Sequence, residues 1–207
     1  MIISSTVDSP QYAPDIRFRT AGWLSILGII FFVVDIVISI IYSSDPILKP
    51  LVLTRIPLII LRMCFTIYVL IQFKRLLNER HDIYKANVII TGMIILEIVW
   101  GVNSIIFIPL GELSPLKLLG ILYIAYVVLH VILYGILGIV LGVYLLGVRE
   151  DPSGLFRIYA ILCIVESSCI VTVILLPIGL LLGMVEAVIL AILFFRAAEA
   201  EPQVEFV

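Results

Sequence analysis

The 207-residue sequence is poor in charged residues and in the side chains that usually perform catalysis or bind metals. Asp, Glu, Lys and Arg make up 14% of the chain, and there are only two histidines and three cysteines. The metalloprotease motif His-Glu-x-x-His, the hydrolase motif Gly-x-Ser-x-Gly and the phosphate-binding motif Gly-x-x-x-x-Gly-Lys are all missing. We therefore predict that the protein is not an enzyme and has no metal site and no cofactor.

Long basic tracts, paired cysteines and a cleavable leader are also lacking. The formal net charge is −2, and no run of Lys and Arg resembles a phosphate-binding surface, so nucleic acid is excluded as a partner. Cys64, Cys163 and Cys169 lie within apolar runs, where a thiol behaves as a small hydrophobe. The first 20 residues do not resemble a signal peptide, so we expect the first span to direct its own insertion.

What the chain does contain is an excess of apolar surface. Hydrophobic residues make up 63% of the sequence and the mean hydropathy is +1.26, more than a soluble core of this size could bury. A helix crossing the bilayer needs about 20 apolar residues. The sequence predicts an all-α membrane protein, a bundle of six spans near 21–42, 51–73, 86–109, 118–147, 157–176 and 178–196, with tails at 1–20 and 197–207.

Two Pro-aliphatic-Gly motifs interrupt this apolar sequence, Pro109 with Gly111 and Pro177 with Gly179. Because Pro cannot continue a helix and Gly tolerates tight reversals, we predict that both motifs are hairpin corners between spans. The segments leading to each motif are also similar. This similarity favours a degenerate, same-orientation repeat in which spans two and three copy spans four and five; chance similarity between membrane helices is the alternative.

Positive charge near the span ends is strongly asymmetric. Nine basic residues fall on one predicted side, against Lys49 and Lys117 on the other: Arg17, Arg19, Lys74, Arg75, Arg80, Lys85, Arg149, Arg157 and Arg196. This bias predicts cytoplasmic termini in a multi-pass protein, with a bacterial or archaeal plasma membrane favoured and an organelle not excluded. We also assign Trp23, Tyr42, Tyr84, Phe156, Tyr159 and Phe195 to the aromatic belts at the two interfaces.

Each predicted span carries one ionisable residue near its middle, although a charge at that depth costs at least ~2.5 kcal/mol. They are Asp35, Arg62, Glu97, His130, Glu166 and Glu186. We predict that they face the bundle interior and that Asp35 pairs with Arg62. Because acids outnumber bases, we also expect at least one of the three glutamates to be protonated at neutral pH.

Further polar and small residues accompany these six along the spans. Residues three, four or seven positions apart share a helix face, and glycines four apart allow close helix packing. On this basis we assign supporting or packing roles to Arg55, Asn103, Tyr126, Tyr134, Gly138, Gly142, Gly179 and Gly183.

The intramembrane cluster supports three interpretations of function. Its residues can be interhelical hydrogen-bonding groups with no further role. They can form a path or binding site for proton- or cation-linked transport. Alternatively, the chain can be a non-catalytic accessory or assembly subunit of a larger membrane complex. Besides the lipid bilayer, its partners would be copies of itself or other membrane subunits.

Overall fold

The described residues form six α-helices and no strand. A computed structural model of the chain describes residues 15–44, 55–113, 117–148, 154–172 and 174–199. The helices are α1 (Ile16–Ser44), α2 (Arg55–His81), α3 (Ala86–Leu113), α4 (Lys117–Leu145), α5 (Leu155–Val171) and α6 (Leu176–Glu199). All except α5 are long and apolar enough to cross a membrane. The 17 residues of α5 span roughly 26 Å at ~1.5 Å per residue, close to the lower limit for a span.

The helices are arranged as a ring that follows the order of the chain. Each helix packs against its neighbours in sequence, and α6 closes the ring on α1, while α2 also touches α6. The beginning of α1 and the end of α6 meet directly, because the Asp15 amide donates a hydrogen bond of 3.1 Å to the Ala198 carbonyl. We call the end of the bundle that contains this contact the terminal end, and the other end the distal end.

The hydrophobic core lies at the terminal end. It is built from the first turns of α1, α3 and α5 and the last turns of α2, α4 and α6, which antiparallel packing brings together. Its fully buried members include Phe18, Phe73, Leu77, Ile90, Leu145 and Phe194. The Phe73 ring contacts Phe194 and Tyr159, with centroids 6.4 and 5.4 Å apart. Phe156 and Tyr159 are buried in this core, so their assignment to an interfacial aromatic belt is wrong.

Toward the distal end the ring is packed less tightly. Among the described residues, no side chain is buried in α1 after Ser25 or in α2 before Val69. In the part of α6 before Leu190, Gly179 is the only buried residue. On the opposite side of the ring, α3, α4 and α5 keep buried positions well into the distal half, among them Ser104, His130 and Cys169. In its described residues the bundle is therefore closely packed at the terminal end and less closely packed along the distal parts of α1, α2 and α6.

Several helices extend beyond the predicted spans. Helix α1 begins at Ile16, so the predicted 20-residue tail already includes its first turn. Helix α2 continues from residue 73 to His81 because Leu76 and Leu77 of this predicted loop pack into the core. The residue after the helix is Asp82, whose φ of 50° is a left-handed conformation that Asp tolerates.

The two Pro-Gly motifs lie within helices and are not the reversals themselves, so the prediction that they form hairpin corners is wrong. Helix α3 continues through Pro109 and Gly111 to Leu113. Pro177 and Gly179 lie in the first turn of α6, and the reversal precedes them. Pro fits that first turn because its missing N–H has no intrahelical acceptor there. The two motifs thus occupy unlike positions, and the proposed repeat remains a prediction.

The closest helix packing occurs between α4 and α5. Gly135, Gly138 and Gly142 of α4 face α5, and a Cβ atom added at Gly142 would lie 2.8 Å from the Ala160 carbonyl oxygen. At Gly138 an added Cβ would collide with the Ser167 hydroxyl. Glycines thus let the two backbones approach more closely than any side chain would permit.

An exposed contact at the terminal end gives a first prediction. The Asp15 carboxylate accepts hydrogen bonds from the Arg17 amide (3.0 Å) and guanidinium (3.1 Å). The guanidinium lowers the pKa of Asp15, so this cap is present at neutral pH and is lost as the pH falls through the lowered pKa. Replacing Asp15 with Ala should cost about 1 kcal/mol in SDS-unfolding experiments. Asn at this position caps a helix without the charge, and should lose less than half as much.

Candidate functional site

All six helices line one central cavity, between the packed core and the distal end. Its space for the centres of water molecules is about 380 Å³. Most of the lining is apolar or aromatic, for example Phe32, Phe65 and Met184. Its ionisable side chains are Arg62, Glu97, Glu166 and Glu186, together with Tyr134, Tyr159 and Cys163. Four of the six intramembrane residues singled out in the sequence therefore lie around the same space.

Glu166 of α5 and Glu186 of α6 form the most acidic part of the cavity. Gly183, one turn before Glu186, makes room for Glu166, because an added Cβ there would lie 2.6 Å from the Glu166 Oε1 atom. The two carboxyl groups are within hydrogen-bonding reach of each other. The Tyr159 hydroxyl and the Cys163 thiol lie beside Glu186.

Oε2 of Glu186 is buried and has no hydrogen-bond donor among the described residues. A buried carboxylate oxygen without a donor is costly. Two carboxyl groups in mutual reach can satisfy each other only when one of them supplies a proton. We refer to Glu166 and Glu186 below as the carboxyl pair.

Glu97 approaches the cavity from α3. It is 8% exposed, and within the described part of the chain it makes no hydrogen bond or close ion pair. Arg62 of α2 lines the same cavity and attracts the Glu97 carboxylate from a greater distance. Glu97 thus presents an unsatisfied acceptor to the cavity.

Asp35 forms its closest ion pair with Arg55 and a longer one with Arg62. Its Oδ1 atom accepts hydrogen bonds from Nε (3.0 Å) and Nη2 (2.8 Å) of Arg55. An Nη1 atom of Arg62 lies 3.9 Å from Oδ2, and the Arg62 guanidinium also lies over the Phe32 ring at 5.8 Å. The predicted pairing of Asp35 with Arg62 therefore exists, but Arg55 is the shorter contact. Asp35 anchors two arginines from outside the cavity lining.

His130 lies apart from the carboxyl groups, among aromatic rings between α3 and α4. Its ring centroid is 4.8 Å from that of Trp100 and 6.0 Å from that of Tyr126. The His130 ring also contacts that of Tyr134, with centroids 6.3 Å apart, and of these two residues only Tyr134 lines the cavity. The Tyr126 hydroxyl is buried without a partner in the described residues, and Asn103 is half-buried. The other histidine, His81, contacts Phe156 at 4.5 Å.

Three polar residues of the cavity lining were not predicted from the sequence, namely Ser25, Tyr159 and Ser167, and Thr66 also lines the cavity. Ser25 and Thr66 donate hydrogen bonds to carbonyl groups one turn earlier in their own helices. A signal for Ser167 was available, because it follows Glu166 and its helix faces the glycines of α4. Tyr159 was assigned to the membrane interface from its position near a span end, although its helix begins as early as Leu155.

No group of three or more His, Cys, Asp and Glu side chains in the described ranges is arranged to hold a metal ion.

The comparisons with known proteins add no relative. No family model matches the chain, and no curated protein and no solved structure is similar to it. What can be inferred about activity therefore comes from the cavity and its side chains.

Proposed function

We propose that this protein is a proton-linked membrane transporter whose central cavity holds the transported species. The observation that carries the proposal is the carboxyl pair, which faces a cavity lined by all six helices. Ionisable groups inside a membrane are costly, and in helical bundles they commonly mark ion and proton pathways. Purely structural groups would be expected to have complete hydrogen bonding, which Glu97 and Glu186 lack within the described residues.

In this proposal the carboxyl pair holds one proton between its two groups. Two ionised carboxylates within hydrogen-bonding reach repel each other, and one proton shared between them relieves this repulsion. Transport would then require the pair to exchange this proton with water on one side and then on the other. The Tyr159 hydroxyl, beside Glu186 at the edge of the core, is placed to pass a proton toward the terminal end.

The unequal packing of the two ends supports the same proposal. A transporter must close one end of its cavity while the other is accessible. Here the terminal end is sealed by aromatic and aliphatic side chains, whereas the described distal parts of α1, α2 and α6 are less closely packed. The bias of the basic residues predicts cytoplasmic termini, and on that prediction the sealed end would be the cytoplasmic one.

Proton movement in proteoliposomes tests this proposal. Vesicles containing a pH-sensitive dye would be exposed to a membrane potential and to outward gradients of alkali and organic cations. We expect a change in internal pH with the wild-type protein, and its loss in the double variant Glu166→Gln/Glu186→Gln. Glu79→Gln is the matched control, because Glu79 is an exposed residue near the end of α2. Vesicles with wild-type protein that behave like empty vesicles in every gradient would contradict the proposal.

Native mass spectrometry separates transport from the role of accessory subunit. If the protein, extracted gently from its own host, is found as a monomer or a defined homo-oligomer, this result agrees with a transporter that works alone. Foreign subunits in fixed stoichiometry, together with the absence of flux from the isolated chain, would favour the accessory role.

A further inference from the structure

We infer that the central cavity binds a monovalent, lipophilic organic cation as the transported species. This inference deepens the proposed function and rests on it in one respect, the proton shared by the carboxyl pair. Its other supports are the size, the lining and the unsatisfied acceptors of the cavity.

The charges around the cavity leave one negative charge without a partner. Arg55 and Arg62 face Asp35, and Arg62 also attracts Glu97, so the two arginines balance the two acids. The carboxyl pair with one proton keeps a single negative charge and has no basic partner among the described residues. A buried negative charge in this setting is best satisfied by a cation.

The lining indicates that this cation carries apolar groups. Leu24, Ile29, Leu70 and Leu180 are among the many aliphatic side chains that face the cavity. A small inorganic ion prefers several oxygen ligands arranged around it, and no three acidic, His or Cys side chains of the described residues are grouped to hold one. Apolar substituents on the ligand would instead replace water along the aliphatic walls.

Aromatic rings add a second means of recognising positive charge. Phe65, Tyr134 and Tyr159 line the cavity, and ring faces attract cations. The Phe32 ring is already used in this way by the Arg62 guanidinium, at 5.8 Å. The cavity volume of about 380 Å³ also falls within the range of small-molecule pockets, roughly 300–1,000 Å³.

Glu97 and Glu186 are the acceptors expected to contact the ligand. Glu97 is more than nine-tenths buried, lines the cavity and has no hydrogen-bond partner in the described ranges. Oε2 of Glu186 is likewise buried without a donor there. An ammonium group with N–H donors could satisfy either oxygen, and a quaternary cation would be held by charge alone.

Equilibrium binding of tetraphenylphosphonium to the full-length protein in lipid nanodiscs tests the inference. Tetraphenylborate has the same shape and the opposite charge, and is the matched chemical control. We expect saturable binding of the phosphonium and only non-saturable partitioning of the borate. Equal binding of the two probes would overturn the inference, because it would show that the cavity takes up apolar molecules without selecting for positive charge.

Substitutions test whether the named residues form the binding site. The double variant Glu166→Gln/Glu186→Gln should bind the phosphonium about 30-fold more weakly or worse, because it removes the buried counter-charge. Glu97→Gln should also weaken binding, whereas Glu79→Gln should not. Unchanged affinity in the folded double variant would overturn the site. If that variant does not fold, the comparison of the two probes on the wild-type protein still decides.

Binding and transport can fail separately. Saturable, charge-selective binding without proton flux would leave the cation site in place and overturn the transporter. Proton flux that depends on the carboxyl pair, without any binding of the phosphonium, would support the proposed transport function. It would contradict the inference that the ligand is an organic cation.

Discussion

Gly142→Leu is expected to destabilise the bundle by about 3 kcal/mol or more. A Cβ atom at this position would lie 2.8 Å from the Ala160 carbonyl oxygen and 2.6 Å from the Ile164 Cγ1 atom. The carbonyl oxygen belongs to the α5 backbone and cannot rotate away, so the two helices must separate. That separation would remove close packing along the Gly135, Gly138 and Gly142 face of α4.

The same chain provides a control on the same helix. A Cβ added at Gly120 would meet no atom within 4 Å, and the position is exposed. Gly120→Leu should therefore leave the SDS-unfolding midpoint almost unchanged, or raise it slightly through the better helix propensity of Leu. Similar losses for the two variants would show that the α4–α5 contact does not decide stability.

Asp35→Asn should produce the second large effect, a loss of roughly 2–3 kcal/mol. Breaking a buried ion pair commonly costs about 3–5 kcal/mol, and these side chains are still 16–24% exposed, which lowers the expected cost. Asp35 faces two guanidinium groups, so its neutralisation leaves both Arg55 and Arg62 without their shared partner. Each arginine in the membrane then needs another way to reach water or a counter-charge.

The loss of stability on replacing each arginine should follow how closely that arginine contacts Asp35. Arg55→Leu removes the two hydrogen bonds of 2.8 and 3.0 Å and should cost more than Arg62→Leu, which removes a contact of 3.9 Å. The double variant Asp35→Asn/Arg55→Leu should be more stable than Asp35→Asn alone, because one uncompensated charge is removed. If it is no more stable than the single variant, measured by SDS unfolding, the assigned pairing is wrong.

Hydropathy was sufficient to predict the six helices and the membrane-protein class, because a run of apolar residues long enough to cross a bilayer has few alternatives. Helix ends were harder to predict. The basic residues from Lys74 to Arg80 suggested a loop, yet the leucines among them continue α2 into the core. Proline and glycine at Pro177 and Gly179 were taken for a turn, although proline is equally suited to a first helical turn.

The cavity was predictable in part. Spacing along one helix indicated that Glu97, Glu166 and Glu186 share faces with small or polar residues, and these three do meet around one space. Which residues face each other across helices depends on how each helix is rotated and tilted, and one sequence contains little information on that. The same argument explains why Arg55 was not recognised as the closest partner of Asp35, and why His130 was grouped with residues that it does not approach.

The central claim is that the carboxyl pair holds one exchangeable proton inside the cavity. Labelling with dicyclohexylcarbodiimide tests it most directly, because this apolar reagent modifies protonated carboxyl groups. Intact-mass and peptide mapping of the protein in its native membrane should show one adduct per chain, on Glu166 or Glu186, and less of it when tetraphenylphosphonium is present. An unlabelled pair, or labelling spread equally to exposed acids such as Glu79 and Glu199, would contradict the claim.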